Sequence, residues 1–80
     1  MNVSQREFEY MKEHITKCLI VMLMEREGVS IREAFDIVYN SVTFAKLSDP
    51  ETGLFFQSPG YVYSYLESEI PKPQATSVIM

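Results

Sequence analysis

The sequence predicts an all-α fold: a small three- to four-helix domain, in which a helical hairpin precedes a short helix and a C-terminal helix. Two Ser-x-x-Glu sequences match the capping box that begins many helices. Apolar residues follow each at spacings of three and four, the period of one helix face. The content of 46% hydrophobic and 22% charged residues is typical of one globular domain. We expect residues 1–70 to form this domain and residues 71–80 to be a flexible tail.

The first helix is predicted to begin at the capping box of Ser4 and Glu7 and to run to about Glu27. Gly28 is expected to end this helix by adopting the left-handed backbone conformation. The residues predicted to form its core stripe are Phe8, Met11, Ile15, Cys18, Leu19, Met22 and Leu23.

Three further apolar residues of the first helix, Ile20, Val21 and Met24, are expected to point away from that stripe. A helix that is apolar on both sides needs a second surface to cover it. We therefore predict self-association of the chain through these three residues.

The second helix is predicted to begin at the capping box of Ser30 and Glu33, so soon after Gly28 that the first two helices should pack as a hairpin. Its predicted inward face comprises Ile31, Ala34, Phe35, Val38, Tyr39 and Val42. Weak helix formers at positions 40, 41 and 43 predict fraying or a bend there. Phe44 and Leu47 can still reach the core from a short helical turn.

Residues 48–53 are predicted to form a turn, in which Asp49 can cap, Pro50 presets the backbone and Gly53 permits a positive φ. Residues 54–57 are expected to be extended or irregular. Ser58 and Pro59 then favour a helix start, with a capping hydroxyl and a first residue that needs no N–H. The alternative is a Pro-Gly turn between two strands, which the twist of tight hairpins disfavours. The predicted inward face of this last helix is Val62, Tyr63, Leu66 and Ile70.

The net charge of −4 is unevenly distributed, with −1 in residues 1–46 and −3 in residues 47–80. Binding to nucleic acid or to an anionic membrane requires clustered Lys and Arg, so we expect neither. The mixture of Arg6 with Glu7 and Glu9 is unlike the start of a signal peptide, and no apolar run is long enough to span a bilayer. Cys18, the single cysteine, cannot form an internal disulfide. These features predict a cytoplasmic protein.

Candidate catalytic and metal-binding residues are few. His14 and Cys18 are four residues apart, and two such pairs from two subunits could form a four-coordinate zinc site. Burial of Cys18 as a small hydrophobe is the simpler interpretation. Acidic residues at 49 and 51, and at 67 and 69, diverge on a helix and are interpreted as solvated surface. We predict no catalytic residues, no metal, no cofactor and no enzymatic activity.

Aromatic residues are too numerous for so small an interior to bury completely. Three of them are assigned to the core: Phe35, Phe44 and Tyr63. The predicted partner-binding surface consists of Phe55, Phe56, Tyr61 and Tyr65. Tyr and Phe are enriched at the centres of interfaces, and the two tyrosines should stack along a flank of the last helix. The acidic residues beside them favour a basic partner protein.

Residues 38–69 resemble a group of short uncharacterised bacterial proteins. The shared pattern is Thr-Gly-Leu-aromatic, then Gln-Ser-Pro and Tyr-Val-Tyr. The matching residues are Leu47, Thr52, Gly53, Leu54, Gln57, Ser58, Pro59, Tyr61 and Tyr63. The group occurs in small gene clusters, sometimes beside predicted ADP-ribosyltransferase-like toxins. The resemblance implies an accessory or antitoxin-like partner protein, with these positions facing a partner or supporting the fold.

The sequence thus predicts a non-catalytic protein–protein interaction module, acting as a homo-oligomer or as the small subunit of a complex. One alternative is a small DNA-binding regulator, since three helices with a short turn can mimic a helix-turn-helix. The last helix offers tyrosines and glutamates where a DNA-reading helix carries Arg and Lys. The other alternative is an oligomeric enzyme or small-ligand binder with a tyrosine-lined pocket, which a heat-stability shift with added metabolites would support.

Overall fold

The computed structural model describes residues 4–70 and consists there of four α-helices and two 3₁₀ turns. The helices are α1 (Gln5–Glu27), α2 (Ile31–Tyr39), α3 (Val42–Leu47) and α4 (Pro59–Glu69). The 3₁₀ turns, Pro50–Thr52 and Leu54–Phe56, lie between α3 and α4. The predicted all-α fold is therefore confirmed, while the predicted tail, residues 71–80, lies outside the described residues. Within the described part, none of the helices combines the length and apolarity needed to cross a membrane.

Local side-chain chemistry sets the ends of the hairpin helices. The Ser4 hydroxyl accepts from the N–H of Glu7 at 3.1 Å, and the Glu7 carboxylate accepts from the N–H of Ser4 at 3.0 Å. Ser30 and Glu33 form the same reciprocal pair, with both distances 3.1 Å. Gly28 ends α1 in the left-handed conformation, at φ 70°. Both predicted capping boxes and the hairpin link are confirmed.

The predicted bend after Tyr39 separates α2 from α3. The Ser41 hydroxyl donates to the carbonyl of Val38 at 2.7 Å and accepts from the N–H of Phe44 at 2.9 Å. One hydroxyl therefore supports the end of α2 and caps the start of α3. Leu47 is fully buried and Phe44 is half-buried, so both reach the core as predicted.

The connection between α3 and α4 is more compact than expected. Asp49 accepts from the N–H of Glu51 at 3.0 Å, and Gly53 has φ 72°, as the turn prediction requires. Residues 54–56 form a 3₁₀ turn, so the prediction of extended or irregular backbone is wrong. An extended backbone would send the adjacent side chains of Leu54 and Phe55 to opposite sides, whereas the tight turn buries both.

The start of α4 follows the helix prediction and excludes the β-hairpin alternative. The Ser58 hydroxyl accepts from the N–H of Tyr61 at 3.2 Å, and Pro59 is the first helical residue. The predicted inward residues Val62, Tyr63 and Leu66 are buried, and Ile70 packs against the core.

The core lies along α1, which contacts α2, α4 and the second 3₁₀ turn. Its buried apolar residues are Phe8, Ile15, Leu19, Ile20, Leu23, Ala34, Val38, Leu47, Leu54, Phe55, Val62, Tyr63 and Leu66. Cys18 and Met11, expected on the core stripe, are only half-buried.

The predicted inward face of α2 is largely exposed. Ala34 and Val38 are fully buried, but Ile31, Phe35, Tyr39 and Val42 remain 42–60% exposed. The core prediction for Phe35 is therefore wrong. A helix packed against one long neighbour buries a narrow sector, and in α2 that sector is occupied by Ala34 and Val38, with Ile37 half-buried beside them.

Candidate functional site

Tyr61 and Tyr65 form a paired aromatic surface on α4. Their ring centroids are 5.3 Å apart at an interplanar angle of 87°, and their hydroxyl oxygens are 2.9 Å apart. The two side chains are 48% and 43% exposed. The hydrogen bond with Tyr65, together with the charge of Tyr65 when it is ionised, raises the pKa of Tyr61. The two rings lie together on the flank of α4, but they meet edge-on, so the predicted stacking is not what the structure shows. Their contact and the hydroxyl hydrogen bond restrain both rings.

Phe55 and Phe56 have opposite environments although they are adjacent. Phe55 is 2% exposed, and its ring meets that of Phe8 edge-on at 4.9 Å. This placement contradicts the partner-binding role predicted for Phe55. Phe56 stacks on Phe55 with the centroids 4.5 Å apart and is 43% exposed. The exposed ring is therefore positioned by the buried one.

The three residues predicted to mediate self-association are also divided. Ile20 is 6% exposed, which contradicts its predicted outward position, because it lies beneath residues of α2 and α3. Val21 and Met24 remain exposed on the outer side of α1. Val21 lines a shallow apolar groove of about 450 Å³ that extends to the start of α4 at Pro59 and Gly60.

His14 and Cys18 point to the same side of α1. The Cys18 Sγ and His14 Nε2 atoms are 3.8 Å apart, and Cys18 is half-buried. Two ligands are half of a tetrahedral zinc site. Among residues 4–70, no group of three or more His, Cys, Asp or Glu side chains is placed to hold a metal ion.

A groove of about 310 Å³ separates α1 from α2 and α3. One wall is a series of three rings: Phe35 stacks on Tyr39 at 5.6 Å, and Tyr39 meets Phe44 edge-on at 4.7 Å. Lys12 and Lys17 lie on the α1 side of the groove.

We call the exposed apolar residues of this region, Ile31, Phe35, Tyr39 and Val42, the α2 stripe. Their spacing matches an inward helix face, which is why the sequence predicts them to be in the core. The sequence did contain a signal against this assignment. The short helix α2 carries more apolar side chains than one neighbouring helix can cover.

The acidic residues near the tyrosine pair are not all available to a partner. The Glu69 carboxylate accepts from the backbone N–H groups of Val42 and Thr43, at 2.9 and 2.7 Å, and from the Thr43 hydroxyl. Glu69 therefore caps α3, while its side chain is exposed, as predicted.

The composition and surface of α4 are relevant to the two alternative functions, a DNA-binding regulator and a small-ligand binder with a tyrosine-lined pocket. The helix, Pro59–Glu69, contains no Lys or Arg with which to contact a phosphate backbone. Tyr61 and Tyr65 meet edge-on at the surface, and neither lines the two grooves beside α1.

No family model, no curated protein and no solved structure matches the chain. Within the fold, most residues of the pattern from Leu47 to Tyr63 that the sequence singled out have structural roles. Leu47, Leu54 and Tyr63 are buried, and Gly53 provides a positive φ. Of the remainder, Tyr61 is exposed together with Gln57.

Proposed function

We propose that the protein is a non-catalytic interaction module that binds another protein through α4, with Tyr61 and Tyr65 at the centre of the contact. The observation that supports this function is the mutual restraint of two exposed tyrosine rings. Phe56, held on Phe55, provides a further exposed ring.

Restrained tyrosines suit protein recognition for energetic reasons. An interface residue must lose rotamer freedom on binding, which costs about 0.5–1.5 kcal/mol for each flexible side chain. Tyr61 and Tyr65 have already lost part of that freedom in the free protein, and each can bury a large ring area while its hydroxyl forms a polar contact.

The charge of the chain favours a basic partner. Residues 47–80 carry −3, although Glu69 is occupied in capping α3. Complementary charge accelerates association and makes it depend on ionic strength. The bacterial resemblance adds a context for this proposal: an antitoxin-like accessory protein of the cytoplasm, whose partner is encoded nearby.

The proposal can be tested by capture of partners from the native lysate with three tagged proteins. These are the wild type, the double variant Tyr61→Ala/Tyr65→Ala, and Tyr10→Ala as the matched control. Tyr10 is a suitable control because it is 73% exposed but lies on α1. We expect the wild type and the control to capture the same protein and the double variant to lose it, with equal thermal stability in all three.

The captured protein should then be purified and its affinity measured directly. We expect the double variant to raise the Kd by at least about tenfold, the size of effect typical of central interface tyrosines. Added salt should weaken the wild-type complex if the partner is basic. Equal affinity of the wild type and the double variant would show that α4 is not the binding surface.

A further inference from the structure

We infer that the α2 stripe is the interface at which two copies of this chain form a two-fold dimer. The stripe consists of Ile31, Phe35, Tyr39 and Val42, which are 56%, 42%, 49% and 60% exposed. It extends along the whole of α2 and onto the start of α3. This surface is distinct from the tyrosine pair of α4, and the inference does not depend on the proposed function.

The exposed area fits a small dimer. With about half of each side chain exposed, the stripe presents roughly 400 Å² per copy. The neighbouring groove shares Phe35 and Tyr39 with the stripe, so Phe44 and the stems of Lys12 and Lys17 add only roughly 100 Å² per copy. Two copies would then bury roughly 1,000 Å², the size of a weak, transient interface. We therefore expect a dimer that dissociates at micromolar concentration.

The shape of the site favours a helix as the occupant. The three rings of Phe35, Tyr39 and Phe44 form one wall, and the buried side chain of Ile20 lies beneath them. An amphipathic helix bound in such a groove contacts it through residues three and four apart. The α2 stripe has this spacing itself, so α2 of a second copy is a suitable occupant.

Charge beside the stripe is self-complementary. Arg32 and Asp36 are both exposed, stand one helical turn apart and have no ion pair within residues 4–70. When two helices pack antiparallel about a two-fold axis, the same flank of each helix meets its equivalent. With Phe35 near the axis, Arg32 of each copy lies close to the second copy's Asp36, and the contact occurs twice.

The competing surface for self-association is the outer side of α1. Val21 and Met24 are exposed there, but Ile20 is buried and so does not contribute. The charged side chains of Lys17 and Glu25 are exposed on the same helix. The α2 stripe presents a larger apolar area and includes two aromatic rings.

The test is sedimentation equilibrium of the full chain between about 5 and 500 µM, a range that spans micromolar dissociation constants. The variants are Phe35→Ser, the charge reversals Arg32→Asp and Asp36→Arg, and the two reversals combined. Val21→Glu is the control for the α1 surface. Circular dichroism of each variant checks that the helices are retained.

We expect the wild type to dimerise and Phe35→Ser to raise the Kd by at least about tenfold. Each single reversal should raise the Kd several-fold because it creates two like-charge contacts, and the combined reversal should restore it to within about twofold. Val21→Glu should leave the Kd unchanged.

Three results would overturn the inference. One is a wild type that remains monomeric throughout the range. Another is dissociation by Val21→Glu but not by Phe35→Ser. The third is a combined reversal that dimerises as weakly as the single reversals, which would reject the antiparallel arrangement. Because Arg32 and Asp36 are exposed, the charge-reversal variants still test the inference if Phe35→Ser unfolds the chain.

Discussion

The Glu69 carboxylate at the end of α4 caps α3 through Thr43, which precedes it by 26 residues. It accepts from the Thr43 N–H at 2.7 Å, from the Thr43 hydroxyl, and from the Val42 N–H at 2.9 Å. Thr43 is 2% exposed, so its hydroxyl has little access to water as an alternative partner. This contact joins the last turn of α4 to the first turn of α3.

Replacement of Glu69 by Gln should lower the free energy of unfolding by about 1 kcal/mol, the usual cost of a lost helix cap. The amide has one acceptor oxygen and no charge, so it cannot satisfy all three donors. Urea denaturation measures the change. Glu25→Gln, an exposed carboxylate near the end of α1, is the control and should change stability little. Equal effects of the two substitutions would show that the cap is not a stabilising contact.

Acid should remove the stabilisation by Glu69. Partial burial raises the pKa of this carboxyl, but the hydrogen bonds from Thr43 and Val42 and the charge of Lys46 lower it more, so the pKa lies below its ordinary value. Because the pKa is lower in the folded state, the ionised carboxylate stabilises the protein fully above the unfolded-state pKa of about 4.3. This stabilisation is lost as the pH falls through the folded-state pKa. The stability difference between wild type and Glu69→Gln should therefore be constant near pH 7 and shrink below about pH 4.5. A difference that persists unchanged at pH 3 would contradict this assignment.

Phe55 and Phe56 should respond oppositely to truncation. Phe55→Ala removes a buried ring that contacts Phe8, and we expect a loss of about 3–5 kcal/mol, enough to unfold much of so small a domain. Phe56→Ala removes an exposed ring and should cost less than about 1 kcal/mol. Thermal unfolding followed by circular dichroism distinguishes them. Comparable melting temperatures would place Phe55 outside the core.

Two glycines provide a matched test of backbone conformation. A Cβ added at Gly53 or Gly60 would meet no other atom within 4 Å, so packing does not distinguish the two sites. Gly53 has φ 72°, and Gly53→Ala should destabilise by about 1 kcal/mol. Gly60 lies in the first turn of α4. Gly60→Ala should stabilise the protein by about 0.5 kcal/mol, because Ala lowers the conformational entropy of the unfolded chain. The denaturant midpoint of unfolding should fall for Gly53→Ala and rise for Gly60→Ala. A lower midpoint for both variants would contradict this prediction.

The helix ends were predictable because their interactions are local. Ser4 with Glu7, Ser30 with Glu33, and the start of α4 at Ser58 each involve residues three apart, which the sequence shows directly. The core assignments were less complete. Helical spacing places Phe35 and Val38 on neighbouring positions of one face, but only Val38 is covered by another helix.

The candidate site was predicted in part for the same reason. The proximity of Tyr61 and Tyr65 follows from their separation of four residues on one helix, whereas their edge-on geometry was not predicted. Whether Phe55 or Phe56 would be buried depends on the second 3₁₀ turn, and therefore on the position of Phe8 in α1. The exposure of the α2 stripe was missed because it depends on which elements pack against α2 and not on the sequence of α2 itself.

The sequence by itself determined the all-α class, the capped ends of α1, α2 and α4, and the positive φ of Gly28 and Gly53, because these depend on groups within a few residues of one another. Tertiary structure alone decided which apolar faces are covered and where the Glu69 carboxylate binds. Burial requires a second element at a given face, and the distance from Glu69 to Thr43 depends on how α3 packs on α4. In this protein the packing of the helices buries Ile20 and Phe55 and leaves the α2 stripe and the tyrosine pair exposed.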